Sequence, residues 1–232
     1  MLLLLLACTG GSTPDDLPTC HDAVTVDVSL CDPDTASFTL GSTNPWYPLV
    51  VGSRVELEGE EDGIAMRVER TVLEETRAVL GVEVHVLEHK TFHDGEIHEV
   101  AYNFYVEADD GTVCYFGEDV EFYEGGALAN TDGTWRAGEG DGRPGVIMPA
   151  DPQVGDVYYQ EMAPGQALDM GEITDTALTL DFGDASYDLI QVMDTNPIDD
   201  EEPCAPEEKR YARGIGEVRD VALDIVAFEP GG

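Results

Sequence analysis

Lysine is almost missing from this 232-residue chain: there are two, Lys90 and Lys209, and Lys and Arg together number 11 against 49 Asp and Glu, a formal net charge of -38. Such a surface repels phosphate backbones and anionic headgroups, which excludes nucleic-acid binding as a function class. The chain also lacks any later run near the ~20 apolar residues of a spanning helix. It has no Cys-x-x-Cys, so zinc-ribbon and thioredoxin chemistry have no support. There is no Gly-x-Ser-x-Gly, and serines are few, which leaves a serine nucleophile without a setting. Gly138–Gly145 is followed by no Lys-Ser/Thr and opens no helix, so it is not a phosphate-binding loop. The excess of acid reads first as a solvated surface suited to a salty or cation-rich medium, and second as a source of cation sites.

The 42% hydrophobic content is enough for a real core. Arg54-Val55-Glu56-Leu57-Glu58, Ile64 to Val72 and Val82-Glu83-Val84-His85-Val86 alternate apolar and polar residues, the period of half-buried antiparallel strands. Asp62-Gly63, Asp94-Gly95, Asp110-Gly111 and Asp132-Gly133 punctuate such runs as turns, because both residue types tolerate positive φ. Further strands are expected near Tyr115–Tyr123, Asp156–Met162, Ala177–Phe182, Tyr187–Met193 and Gly216–Phe228, and one short helical turn near Glu74–Leu80. The expected fold is mainly β, an antiparallel curved sheet, barrel-like or sandwich, with few or no helices. Gly133–Gly155 is too rich in Gly and Pro for regular structure, yet it carries Trp135, Ile147 and Met148, so an ordered loop on the sheet is expected.

The first seven residues, Met-Leu-Leu-Leu-Leu-Leu-Ala, are apolar but too short to span. Leu5-Leu6-Ala7-Cys8 resembles the bacterial lipobox, in which the cysteine is acylated and becomes the first mature residue. The basic head of such a signal is expected upstream. Thr9 after the cysteine resembles outer-membrane sorting in a Gram-negative cell. The expected organisation is a lipoprotein signal over 1–8, an acidic flexible tether over 9–19, a small disulfide-tied appendage over 20–43 and one β-domain over 44–232. With Cys8 acylated, Cys20, Cys31, Cys114 and Cys204 are an even set, as disulfides in an exported chain require. Of their three connectivities, Cys20–Cys31 with Cys114–Cys204 is preferred, a small loop plus a link between distant strands.

His85-Val86-Leu87-Glu88-His89 fits His-x-x-Glu-His, but that motif needs a helix. On a strand the two histidines stand ~13 Å apart, too far for one zinc. If Asp94-Gly95 is a two-residue turn, Thr91 faces His98 and His89 faces Val100, making His89 and His98 diagonal neighbours; two solvated histidines are expected there. Residues 128–139 carry Asn130, Asp132, Gly133 and Glu139 at EF-hand positions, but Leu128 occupies the first, where a carboxylate is needed. A looser calcium cage from Asp132, Glu139, Asp141 and Asp151 remains a candidate. Trp46, Trp135 and Met148 are the candidates for lining an apolar ligand cavity.

Asn44-Pro45-Trp46-Tyr47-Pro48-Leu49, Tyr115-Phe116-Gly117-Glu118-Asp119 and Pro144-Gly145-Val146-Ile147-Met148-Pro149-Ala150 occur in that order. In these the chain resembles a group of exported bacterial proteins, often lipoproteins, with an NP-[FWY]-[FY]-PL start, a YFGED segment and a PGI-MPA loop. Tyr211-Ala212-Arg213-Gly214-Ile215-Gly216 is similar to that group's YAPGVG, with Arg213 in place of a proline. The likeness covers about 44–228. It implies an exported β-fold and adds no catalytic residue. The expected function is a non-enzymatic binding or envelope-associated module at the cell envelope, anchored in the membrane through Cys8. A carboxylate-based calcium-binding protein is the alternative, and a hydrolase ranks third.

Overall fold

The computed structural model describes residues 17–232. Cys8, the signal over 1–8 and most of the tether over 9–19 lie outside the described residues. A single turn of 3-10 helix, Val28–Cys31, precedes fifteen strands: β1 Phe38–Thr39, β2 Arg54–Glu61, β3 Ile64–Val79, β4 Val82–His93 and β5 Glu96–Ala108. There follow β6 Val113–Glu124, β7 Ala127–Asn130, β8 Trp135–Arg136, β9 Gly145–Met148 and β10 Val157–Tyr159. The last five are β11 Met170–Phe182, β12 Ala185–Thr195, β13 Glu207–Ala212, β14 Gly216–Asp220 and β15 Leu223–Glu229. The mainly-β reading is borne out: one antiparallel sheet dominates the chain.

Alternation and turn chemistry explain the long hairpins. On β2, Val55 and Leu57 are buried while Arg54, Glu56 and Glu58 face outward. Asp62-Gly63 joins β2 to β3, and Asp94-Gly95 joins β4 to β5, each with both residues at positive φ. The helical turn expected near Glu74–Leu80 does not form. That segment is the end of β3, laddered to β4 from Thr76↔His85 to Val79↔Val82, and Leu80-Gly81 makes the turn. Pairing across the sheet overrides local helix propensity there.

The strands run β10-β11-β12-β13-β14-β15-β2-β3-β4-β5-β6-β7, and β1, β8 and β9 pair with β5, β6 and β6. The ladder is not closed, but the sheet curls until its ends meet. A lone bridge joins Arg143 to Met162. Beside it β9 approaches the chain leaving β10 so closely that a Cβ on Gly145 would sit 2.2 Å from the carbonyl oxygen of Gln160. The Gly133–Gly155 stretch thus lies along the seam.

The cysteines pair as Cys20–Cys204 and Cys31–Cys114, with Cα atoms 5.4 and 5.6 Å apart. This corrects the preferred Cys20–Cys31 and Cys114–Cys204. The physical reason is that residues 20–43 do not fold on themselves. Thr25 and Val26 donate their backbone N–H groups to Val157 O, β1 joins the end of β5, and Cys31 is buried against β6. Each cysteine therefore meets the strand or loop it lies over, not its sequence neighbour. Leu17, in the expected tether, is buried with Val157, Tyr159, Met162 and Leu168.

Two larger apolar clusters fill the inside. Successive inward positions of β3 show how they are arranged. Val72 belongs to the main cluster and Val68 to the second, and between them stands Arg70. A polar level separates the two apolar ones.

Candidate functional site

That polar level surrounds a cavity of about 260 Å³. A surface cleft of about 370 Å³ adjoins it, with Gln160, Asp169 and Lys209 in the lining of both. The cleft's other wall is the acidic loop over 196–206, with Asp199, Glu201 and Glu202.

Strand irregularities aim the polar side chains inward. Tyr115 and Glu118 are three residues apart on β6 and would face opposite ways in a regular strand. The register shifts between Asn103↔Glu118 and Tyr105↔Tyr115, with Gly117 at φ 133, so both reach the cavity. On β14 the shift that leaves Val218 unpaired does the same for Glu217 and Asp220. Bulges are a known means of re-aiming a side chain beside a site.

One wall pairs its charges. Arg70 Nη1 lies 2.6 Å from Glu217 Oε2, and Arg70 Nη2 donates to the Tyr47 hydroxyl at 2.8 Å. Lys209 Nζ lies 3.0 Å from Asp194 and 3.9 Å from Asp220. Gln160 Nε2 donates to the other Asp194 oxygen at 2.8 Å. Burial works against the Lys209 ammonium, but Asp194 and Asp220 hold its pKa well above the ordinary lysine value. His89 also lines the cavity, where burial, and after it the Arg70 charge, pushes its pKa down to about 3. It is therefore neutral at physiological pH.

The other wall does not pair its charges. Glu118 and Glu161 are within hydrogen-bonding reach of each other, and Glu161 of Asp169. None of the three has a salt-bridge partner among the described residues. Burial first, and then the neighbouring carboxylates, pushes Glu161 up to about 7 and Asp169 up to about 9. Burial likewise raises Glu118 to about 7, against a stabilising hydrogen bond from Tyr115. At neutral pH the trio shares protons. It therefore holds less charge than three ionised acids would.

The residues expected to line an apolar cavity do not share one. Trp46 lies outside, half-buried, with the Arg213 guanidinium 4.8 Å above its ring. Trp135 is buried behind the site, where its indole N–H donates to Glu161 Oε1 at 3.2 Å. Met148 is fully buried in the main cluster, and it is its neighbour Ile147 that reaches the cavity. Nor are the calcium candidates gathered. Asp132, Glu139, Asp141 and Asp151 are all exposed. Glu139 and Asp141 share a surface cleft with Asp119 and Arg136, without the other two. Among the described residues no three His, Cys, Asp or Glu side chains are placed to hold one metal ion.

The histidines stand on strands, as expected, but in another register. His98 is an extra residue on β5, so Thr91 faces Glu99 and His89 faces Ala101. His98 stacks on His93 with ring centroids 3.9 Å apart, while His89 turns into the cavity rather than to solvent. Sequence reasoning did not single out Arg70, Glu118, Glu161, Asp169, Lys209 or Glu217. For Arg70 a signal was available, since it shares an inward parity with Val68 and Val72. Compared with known proteins, the chain matches no family model, no curated protein and no solved structure.

Proposed function

We propose that this chain is an exported, lipid-anchored, non-enzymatic binding module that takes a small polar solute into the cavity of its curled sheet. The observation that carries this reading is the polar cavity, continuous with an acidic cleft, set between two apolar clusters of the interior. Its volume of about 260 Å³ lies just below the ~300–1,000 Å³ typical of small-molecule pockets. Two disulfides suit an oxidising compartment. Membership of the exported group that the motifs resemble is part of the proposal: Tyr115 and Glu118 come from the YFGED segment, and Ile147 from the PGI-MPA loop. Attachment through Cys8 rests on the sequence.

Trp135 offers a direct readout, because its indole is bonded to a carboxylate of the site. In a Trp46→Phe background, a bound solute is expected to change the emission of Trp135 saturably. Ala101 lines the cavity, and Ala101→Met projects a side chain into it. That change is expected to abolish the signal while the fold melts as before. A signal that survives a folded Ala101→Met variant places the site elsewhere. Mass spectrometry of the membrane fraction tests the anchor, and an unmodified Met1 would refute it.

A further inference from the structure

Tyr211 is 1% exposed and stands on β13 two residues from Lys209, so both side chains take the inward face and line the cavity. Burial, and then the Glu217 charge, pushes its pKa well up, so the phenol keeps its proton. Its hydroxyl makes no hydrogen bond to any described residue. The Tyr158 hydroxyl is also unpartnered, but it is sealed inside the packed interior, whereas that of Tyr211 opens on the cavity. Buried hydroxyls are normally satisfied, and this one is placed to be satisfied from the cavity.

A second group of this kind lines the same space. His89 on β4 is a neutral imidazole there, and neither ring nitrogen is bonded to a described residue. In the sheet β14, β15, β2 and β3 lie between β13 and β4. Tyr211 and His89 therefore view the cavity from separate strands, and one molecule that meets both must be polar on more than one edge. Tyrosine rings line the cavity as a continuous belt. Centroids lie 6.0 Å apart from Tyr211 to Tyr47, 5.1 Å from Tyr47 to Tyr105 and 4.5 Å from Tyr105 to Tyr115.

Resting on the cavity reading, we propose that the solute is an uncharged sugar ring of the hexopyranose class, whose hydroxyls bond Tyr211 and His89 and whose C–H groups lie along the tyrosine rings. A sugar hydroxyl donates and accepts, and so does a phenol, while a neutral imidazole donates at one nitrogen and accepts at the other. A sugar carries such hydroxyls around its whole rim, with C–H groups between them to meet aromatic carbon. Arg70 already holds Glu217, and Lys209 holds Asp194 and Asp220, so neither is free for an anion. Among the described residues no three His, Cys, Asp or Glu side chains are placed to hold a metal ion. Carboxyls that keep protons at neutral pH, as Glu118, Glu161 and Asp169 do, are donors as well as acceptors and suit hydroxyl partners. A hexopyranose occupies about 190 Å³, roughly six times the ~30 Å³ share of one water. The cavity of about 260 Å³ admits it.

The test is isothermal titration of the full-length chain at pH 6 with D-glucose, D-galactose and D-mannose, beside D-glucosamine, D-glucuronate and cyclohexanol. The last three keep a six-membered ring but carry a positive charge, a negative charge or a single hydroxyl. The expected result is that at least one neutral hexose binds saturably, and more tightly than all three of these. Ala101→Met should abolish that binding, and binding that survives in the folded variant overturns the assignment. Tyr211→Phe removes the hydroxyl and keeps the ring. Because the hydroxyl bonds nothing in the protein, this variant should melt no lower than wild type, yet bind the hexose about five- to tenfold more weakly. A lower melting temperature, or an unchanged affinity, overturns the assignment. If Tyr211→Phe does not fold, the wild-type ranking of the hexoses against glucosamine, glucuronate and cyclohexanol decides. Tightest binding by glucosamine, glucuronate or cyclohexanol would overturn the uncharged-sugar assignment and leave the cavity as a binding site. If no probe binds, both the sugar assignment and the cavity reading fall.

Discussion

Arg70 and Glu217 face each other at 2.6 Å on one wall of the cavity, while Glu118, Glu161 and Asp169 form no salt bridge among the described residues, Lys209 acting on Asp169 only at longer range. The two walls are buried to similar degrees, yet they solve the cost of burial differently. The first keeps its groups ionised by pairing them, with Tyr47 and Gln160 satisfying remaining positions. The second neutralises itself by taking up protons, as carboxyl groups must when charge has no partner. The paired wall keeps its charge, with the Arg70 Nε–H left without an acceptor. The protonated wall is stable by giving its charge up.

The sharpest way to break this contrast is to unpair the paired wall. Arg70→Met leaves Glu217 buried without its partner, and is expected to cost about 3–5 kcal/mol in urea unfolding at pH 7. The opposite wall should respond with the opposite sign. Its folded pKa values lie above the unfolded ones, so its contribution to stability is fully present below about pH 4.5 and is lost as pH rises through about 7 for Glu161 and about 9 for Asp169. Wild type should accordingly lose stability between pH 5 and pH 9. Glu161→Gln should match wild type near pH 5 and exceed it by about 2–3 kcal/mol at pH 8.5. A variant that is less stable than wild type at both pH values would show that Glu161 is held by a partner not identified above. A smaller effect is expected at Lys209, whose side chain is 25% exposed toward the cleft. Lys209→Met should cost about 1–2 kcal/mol, since water screens part of the loss. Smallest of all is the outer face of β2 and β3, where Arg54 and Arg67 contact Glu56 and Glu69. Arg54→Ala there should change stability by no more than about 1 kcal/mol, and less in high salt. A larger cost would mean that pairing outside the sheet matters as much as pairing inside it.

Much of the sheet is legible in the chain because its signals are local. Asp62-Gly63 and Asp94-Gly95 carry their turn chemistry in two residues, and Val55-Glu56-Leu57 carries its face in three. What hid were features that depend on the partner strand. Leu80 is no turn former by composition, yet it takes positive φ because β3 and β4 are paired on either side. The bulges beside Gly117 and at Val218 turn Glu118 and Asp220 inward, and the extra residue His98 shifts the partners that β5 offers to β4. Alternation alone places each of these on the wrong face or leaves it unremarked. The disulfide partners hid for a related reason, since Cys20 and Cys31 lie near each other along the chain but over different parts of the sheet. Glu161 and Asp169 stand on a segment with no periodicity to read. Lys209 carries no local pattern to read, and it supplies the ammonium that pairs with Asp194 at the cavity.

The Cys20–Cys204 bond joins the start of the described chain to the loop that walls the cleft, across 184 residues of sequence. Cys20 lies twelve positions after Cys8, and a fully extended chain of that length reaches at most about 40–43 Å. An acyl anchor at Cys8 would therefore leash the doorway of the cavity, not its back, to the bilayer. The entrance would sample solutes within one short tether of the membrane surface, and cutting the single bond at Cys204 would let the doorway loop and the leash part company.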